Sequence, residues 1–195
     1  MDRMIFEEEH EMFRDSVRSF MKNEIEPHSD RWHEEGIVDR EAFLRAGEMG
    51  FLLMWADEQY GGIGVRDFRY EQILIEENAH HGDPGFFMTL HSRLVGPYFD
   101  SFATDEQKAR WLPKCISGEH ILAIGITEPG AGSDVAGLRT KAEDKGDHFL
   151  LNGSKTFISN GILADLVIVV ARTDPNNSHA LSLFVVERGM EGFER

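Results

Sequence analysis

The hydrophobic pattern of this chain changes near residue 120, and this change limits the folds that the chain can adopt. Before that point apolar residues recur at helical spacing. After it, apolar runs at 166–171 and 181–186 are separated by loop residues, which is typical of β-strands. Helices followed by strands predict an α+β protein with segregated layers and argue against a parallel βαβ sheet. We therefore predict a helical domain over residues 1–119 and a β domain over residues 120–195.

Local signals locate the helices of the first domain. Four apolar residues mark the buried face of a first helix: Phe13, Val17, Phe20 and Met21. Pro27 then ends or interrupts this helix, because proline lacks the N–H group that a helix interior needs. Asp39 is predicted to cap a second helix, whose inward side chains are expected to be Phe43, Leu44 and Met49. Thr104 and Gln107 have the Thr-x-x-Gln spacing of a capping box, which predicts a helix through Trp111.

Three further segments carry structural predictions. A helix is expected around Ile73 and Leu74. The strongly apolar stretch from Pro84 to Phe102 predicts one buried helix that contains His91 and Pro97. Asn152-Gly153 follows an apolar run and is a strong signal for a β-hairpin turn.

Charge and cysteine content exclude several classes of protein. There are 35 acidic residues against 20 lysines and arginines, so the net charge of -15 argues against nucleic-acid or anionic-membrane binding. The acidic residues are scattered through the first half, which favours solvated helical surfaces. No apolar run is long enough to cross a bilayer, and residues 1–11 are acidic without an apolar signal segment. We expect a cytoplasmic location, or the mitochondrial matrix in a eukaryotic source.

Metal and thiol chemistry are not expected from this sequence. His80 and His81 are adjacent on a predicted helix, so their side chains point about 100° apart and do not converge easily on one ion. We therefore predict no metal site. Cys115 is the single cysteine, which rules out a disulfide within the chain, and it is expected to be a small buried residue.

The stretch most typical of chemistry is residues 125–134, with the sequence GITEPGAGSD. Small residues let backbone N–H groups approach an anion, and Thr127 and Ser133 add hydroxyl donors. The glycine spacing is wrong for a dinucleotide-binding helix, and the Gly-Lys-Ser/Thr of a phosphate-binding loop is missing. From physical chemistry alone, the stretch is either a phosphate- or nucleotide-binding loop or a wide β-turn capped by an Asp side chain.

Two motifs resemble the acyl-CoA dehydrogenase family. Residues 125–134 resemble the first signature of that family, and residues 152–161, with the sequence NGSKTFISNG, resemble its second flavin-contacting segment. The two motifs lie at the family's spacing, and the resemblance runs over essentially the whole chain. Many relatives have Trp and Thr where this chain has Phe157 and Ser159. With the runs at 167–171 and 182–184, these residues make the chain look most like the long-chain branch.

The resemblance implies a bound FAD and an antiparallel, barrel- or sandwich-like β domain that would be followed by a C-terminal helical bundle. The cofactor-binding residues carried over from the family motifs are Ile124, Gly125, Ile126, Thr127, Glu128, Pro129, Gly130, Ala131, Gly132, Ser133, Phe157, Ile158 and Ser159. Among them, Ile126 and Thr127 would lie at the pyrimidine edge of the flavin. Gly132 and Ser133 would hold the pyrophosphate. Phe157 would pack against the isoalloxazine face, and Ser159 would reach the N5 region.

The reaction implied by the resemblance is α,β-dehydrogenation of fatty acyl-CoA thioesters. Ser133, Ser178 and His179 lie where relatives contact the acyl-CoA, and the segment from Pro84 to Phe102 would line the acyl-tail cavity. For Phe87, Leu90 and His91, ordinary core packing is an equal alternative. The family's catalytic base is a glutamate in the C-terminal domain, so no catalytic residue is predicted within residues 1–195. The implied partners are an electron-transfer flavoprotein and further copies of the chain.

Two other functions are compatible with these motifs. An oxidase on the same scaffold would differ from the dehydrogenase in the rapid reoxidation of its flavin by O2. A non-catalytic module that binds a nucleotide or acyl-CoA would need the same loops but no base. For the 195-residue chain alone, we expect FAD to bind weakly or not at all and we expect no dehydrogenase activity.

Overall fold

The computed structural model describes residues 4–174, 176–177 and 179–195. The chain forms two compact units, Met1–His120 and Ile121–Arg195. None of the helices in the described part of the chain combines the length and the apolar character that a membrane span requires.

The first unit is helical in its regular structure. Its α-helices are α1 Glu8–Phe20, α2 Ser29–Glu35, α3 Arg40–Glu48, α4 Phe68–His81, α5 Gly96–Phe102 and α6 Asp105–Ile116. The core is rich in aromatic residues, and Phe43 packs edge-on against Phe86 with ring centroids 5.0 Å apart. Gly118 supports this packing, because its φ of +80° and its closeness to the Phe43 carbonyl leave no room for a side chain. The expected inward side of the second helix is only partly correct, since Met49 is half exposed.

The first helix ends as the proline predicts. α1 continues as a π-helix over Met21–Ile25 and a 3-10 turn over Glu26–His28, with Pro27 at the start of that turn. Its predicted inward residues Val17, Phe20 and Met21 are buried. Asp39 stands at the N-cap of α3, but its side chain makes no capping hydrogen bond and pairs with Arg31 instead.

The stretch from Pro84 to Phe102 is not the single buried helix that its apolar character predicts. Helical structure begins at Met88 and passes through a π-helix over Leu90–Val95 before α5. Phe87 and Phe102 are exposed. Pro97 explains part of the difference, because a proline is tolerated in the first turn of a helix and interrupts one in the interior.

Two acidic residues of α4 also depart from the expected solvated surface. Glu71 and Glu77 are both buried, with 3% and 2% of their surface exposed. Glu77 accepts hydrogen bonds from Arg14 and Arg18 of α1, so its burial ties the two helices together. Burial alone would raise the pKa of Glu77, but the bonds from Arg18 and Arg14 lower it below its ordinary value.

The capping box of α6 is formed as predicted. The Thr104 hydroxyl accepts from the Gln107 N–H at 3.2 Å, and the Gln107 side chain accepts from the Thr104 N–H at 2.9 Å. We expect Thr104→Ala to lower the free energy of unfolding by about 1 kcal/mol, because an N-terminal amide of the helix loses its partner. Urea unfolding monitored by circular dichroism measures this, with Thr173→Ala in the other unit as the control. No change in Thr104→Ala would show that the cap contributes nothing.

The second unit is built on one five-stranded sheet of β1 Leu122–Gly125, β2 Lys141–Asp144, β3 Phe149–Asn152, β4 Leu166–Arg172 and β5 Leu181–Glu187. β4 lies at its centre, parallel to β1 and β2 and antiparallel to β5. The sheet is therefore mixed, and the expectation of an antiparallel barrel or sandwich was wrong at the β1–β4 and β2–β4 pairs. Consecutive residues of β4 are buried, so both faces of the strand are covered, and this explains its continuous apolar sequence.

The hairpin of this unit is not where Asn152-Gly153 predicts it. β2 and β3 pair antiparallel through a turn at residues 145–148, and Gly146 there has a φ of +96°. Gly153 instead lies against Thr140, where an added Cβ would overlap the Thr140 backbone and side chain. The glycine is thus required by a close approach of two segments and not by a turn.

Candidate functional site

The loop after β1 is a tight turn with an open backbone. Glu128 and Ala131 exchange two backbone hydrogen bonds of 2.9 and 3.1 Å, so Pro129 and Gly130 form the tip of a two-residue turn. Both tip residues are exposed. An added Cβ at Gly130 or at Gly132 would meet no atom within 4 Å. The backbone of this loop is therefore accessible to a ligand.

The Glu128 side chain anchors the loop from below. One of its oxygens accepts from the Arg139 N–H at 2.7 Å, and the other accepts from the Thr140 N–H, the Thr140 hydroxyl and Lys155 Nζ at 2.9, 2.5 and 2.8 Å. Burial alone would raise the pKa of Glu128, but these donors outweigh it and lower the pKa to about 2. The carboxylate is therefore ionised at neutral pH and is a poor proton acceptor.

The two motif segments lie side by side. The Thr156 N–H donates to the Thr127 carbonyl at 2.9 Å, and Lys155 Nζ donates to the Ile126 carbonyl at 3.0 Å. Lys155 thus bonds both to a backbone carbonyl of the first motif and to the Glu128 carboxylate. Residues far apart in sequence are brought into one surface by these contacts.

The second segment alternates between anchored and outward side chains. Ile158 packs against the core cluster of Ala123, Ala164 and Val167. Phe157 is 92% exposed, and its φ of +55° is unusual for a bulky residue. Such strain, of order 1–3 kcal/mol, is found where a side chain is held in place for a function. An exposed aromatic ring held in this way can stack on a planar ligand.

The predicted cofactor residues divide into an anchoring set and an outward set. Ile126 and Ala131 pack on the core with Leu138 and Val170, Ile124 and Gly125 are part of β1, and Glu128 is buried. The outward positions are Thr127, which is half-buried, and Pro129, Gly130, Gly132, Ser133, Phe157 and Ser159, which are exposed. Within the described ranges, the hydroxyls of Thr127, Ser133 and Ser159 make no hydrogen bond. Open amides, free hydroxyls and an exposed ring fit a nucleotide cofactor with a planar aromatic end.

The remaining predicted residues lie outside this cluster. Ser178 is outside the described residues. His179 is exposed in the loop between β4 and β5, and its N–H donates to the Asn177 side chain at 2.9 Å. In the helical unit His91 is fully buried and its Nε2 lies 2.9 Å from the Cys115 carbonyl, which is ordinary core packing.

The histidines of the helical unit take part in local contacts. The rings of His80 and His81 are 6.2 Å apart and tilted by 50°. Elsewhere, His10 approaches Glu7 and Glu9 with ligand-type atoms within 4.8 Å of one another. Its Nδ1, however, accepts from the Glu7 N–H at 3.2 Å and so belongs to the N-terminal cap of α1.

The sequence motifs did not identify Lys155, Thr140 and Asn160 as important. Asn160 has a φ of +61° and donates to the Leu122 carbonyl, which fixes the end of the second segment on β1. The available signal for Lys155 was that it is the one charged residue of the motif NGSKTFISNG. Its partners lie 27 and 29 residues away, so no local pattern reveals them.

Family models match nearly all of the chain. Residues 7–119 match the acyl-CoA dehydrogenase N-terminal domain, and residues 123–195 match the acyl-CoA dehydrogenase middle domain. The chain belongs to the acyl-CoA dehydrogenase family. A curated acyl-CoA dehydrogenase relative, the long-chain specific mitochondrial enzyme of Mus musculus, is 45% identical over 98% of this chain. The resemblance to the long-chain branch is thereby confirmed.

Solved structures of acyl-CoA dehydrogenases share the fold. An acyl-CoA dehydrogenase from Geobacillus kaustophilus matches 98% of this chain with 45% identity and a TM-score of 0.93. A glutaryl-CoA dehydrogenase from Mycobacterium smegmatis in complex with FADH2 matches 97% with 30% identity and a TM-score of 0.86. The chain spans about half the length of these relatives, namely 45% of the mouse protein and 51% and 48% of the two structures.

Proposed function

We propose that the β unit binds FAD and that the protein containing it dehydrogenates long-chain fatty acyl-CoA to the trans-2-enoyl-CoA. The observation that carries the proposal is the juxtaposition of the two motif segments, which place open amides, free hydroxyls and the Phe157 ring on one surface. The 45% identity to a long-chain specific relative supports the substrate class. A relative in complex with FADH2 supports the cofactor.

Each outward residue has a role in this proposal. The backbone of Gly132 and the Ser133 hydroxyl would hold the pyrophosphate, where a donor to a charged group is stronger than a neutral hydrogen bond. Thr127 would bond to the pyrimidine edge, and Phe157 would stack on the ring system. Ser159 would reach the N5 side, and Ser133 and His179 would contact the acyl-CoA. Bound FAD supplies the acceptor for the hydride from the β carbon.

The β unit supplies binding and orientation in this scheme, but not the proton acceptor. Four donors hold the Glu128 carboxylate and keep its pKa at about 2. A general base that acts at neutral pH needs a pKa closer to that pH. We propose that the base lies outside residues 1–195. An electron-transfer flavoprotein would take up the electrons, and the intact enzyme would be a homo-oligomer.

Titration of the isotope-labelled chain with FAD, followed by amide NMR, tests the cofactor site even where binding is weak. We expect shifts at residues 127–133 and 157–159. Ser133→Ala should weaken the affinity about 10-fold, because a hydrogen bond to a charged group is lost. Ser182→Ala on β5 is the matched control and should bind as the parent does. Shifts elsewhere, or none at millimolar FAD, would refute the proposed site.

A further inference from the structure

We propose that Lys155 is a positioning residue, which holds the first motif loop against the second motif segment so that both face one ligand. The inference rests on the proposed FAD site, and Lys155 itself is not proposed to touch the cofactor. The family motifs do not assign this role, because the predicted cofactor contacts are residues 124–133 and 157–159 and Lys155 is not among them.

The geometry places Lys155 at the junction of the two segments. Its chain neighbour Thr156 pairs with Thr127, and its ammonium reaches the Ile126 carbonyl at 3.0 Å and the Glu128 carboxylate at 2.8 Å. A lysine ammonium has three donors, and two of them are used on residues that flank Thr127 in sequence. The orientation of Thr127, an outward residue of the candidate site, is therefore fixed from both sides by one side chain.

Burial makes this contact specific. Lys155 and Glu128 side chains are 10% and 6% exposed, so both charges are withdrawn from water and each needs the other. The Gly125 position supports the same packing, because a Cβ added there would lie 3.1 Å from Lys155 Cγ. The aliphatic stem of the lysine thus lies across the end of β1, while its charged end lies under the loop.

The Glu128–Lys155 pair also affects how the loop interacts with an anion. An uncompensated carboxylate beneath the turn would repel a phosphate group at Gly132 and Ser133. Lys155 compensates this charge without being exposed at the surface. The loop can then present its amides to an anion with no net negative charge beneath them, although the chain as a whole carries -15.

A purely structural role is the alternative, and it predicts a different pattern. If Lys155 only stabilised the β unit, its loss would accelerate amide exchange in all five strands alike. A positioning role predicts acceleration confined to residues 126–133, the Arg139 and Thr140 amides and residues 154–160, since these are the groups joined by the network.

Hydrogen exchange of the 195-residue chain, measured with and without FAD, separates the two roles. Lys155→Met should accelerate exchange about 10-fold at the Thr156, Arg139 and Thr140 amides and raise the dissociation constant for FAD at least 10-fold. Lys141→Met removes an exposed lysine of β2 and is the matched control. The double variant Glu128→Gln with Lys155→Met no longer contains the uncompensated buried carboxylate. Because the Lys155 contacts are still missing in it, the two segments should still exchange rapidly.

The outcomes distinguish this inference from the proposed function. Unchanged exchange in the two segments of Lys155→Met, with normal FAD binding by the parent chain, would overturn the inference alone. Uniform acceleration across the strands, abolished in the double variant, would assign Lys155 to stability only and would also overturn it. FAD shifts absent from the parent chain would refute the proposed function and, with it, the cofactor role of Lys155.

Discussion

Replacing Glu77 with glutamine is expected to lower the free energy of unfolding by about 3 kcal/mol, since Glu77 is the most buried carboxylate bound to the two arginines and their remaining acidic partners are more exposed. Glu77 accepts from Arg14 at 3.1 Å and from Arg18 at 2.9 and 3.1 Å. The side chains of Glu77 and Arg14 are 3% and 12% exposed, so water does not replace the lost carboxylate. Arg18 is 39% exposed and adds less.

The matched control for this prediction is Glu11→Gln. Glu11 also pairs with Arg14, at 3.2 Å, but its side chain is 57% exposed and lies within the same helix. Glu11→Gln should lower the free energy of unfolding by no more than about 0.5 kcal/mol. Both variants are compared by urea unfolding of the helical unit at pH 7. Equal effects of the two substitutions would show that the α1–α4 network contributes no more than a surface pair.

The parts of the fold that sequence reasoning predicted are those set by neighbouring residues. The Thr104–Gln107 cap requires contacts across three residues, and the break at Pro27 follows from one ring. Both are present because no distant contact competes with them. The exposed Met49 shows the limit of this reasoning, since helical spacing does not say where the buried face ends.

The parts that were missed depend on contacts between distant residues. The parallel pairing of β1 with β4 joins Leu122 to Leu166, and no local pattern fixes strand direction. Gly153 gave a hairpin signal because glycine serves two purposes, a turn and a close approach, and the Thr140 backbone that decides between them is remote in sequence.

The candidate site shows the same division. The two motifs located the outward residues, from Thr127 to Ser159, because a family resemblance carries positions directly. The support beneath them was predicted only in part: Glu128 was among the predicted residues, but its donors and Lys155 lie in other segments and were not predicted. Scattered acidic residues also predict solvated surfaces. In the structure, however, a few of them, such as Glu77 and Glu128, are buried and accept hydrogen bonds from basic side chains.

Glu71→Gln is expected to raise the free energy of unfolding above pH 7 by about 3 kcal/mol, because an unfavourable buried charge is removed. Glu71 is 3% exposed, and its Oε1 has no hydrogen-bond partner among the described residues. Burial raises the pKa of Glu71 to about 7, against the attraction of Arg93. The folded chain therefore retains a proton that the unfolded chain releases near pH 4.5, so stability falls as pH rises from 4.5 to 7.

The difference between variant and parent should grow over that interval, from near zero at its acidic end to its full value above pH 7. Glutamine has nearly the shape of the protonated acid and cannot ionise, so it removes the titration while leaving the packing in place. Urea unfolding at pH 5.5, 7 and 8.5 measures the difference, with Glu34→Gln on the exposed side of α2 as the control. A constant difference across the three pH values would show that the Glu71 carboxyl titrates alike in the folded and unfolded chain.

Because Glu71 lies on the same helix as Glu77, opposite pH responses of the two variants would show that partners decide the effect of a buried carboxyl more than burial does. Glu77 has two arginines that keep it charged, whereas at Glu71 burial outweighs the attraction of Arg93.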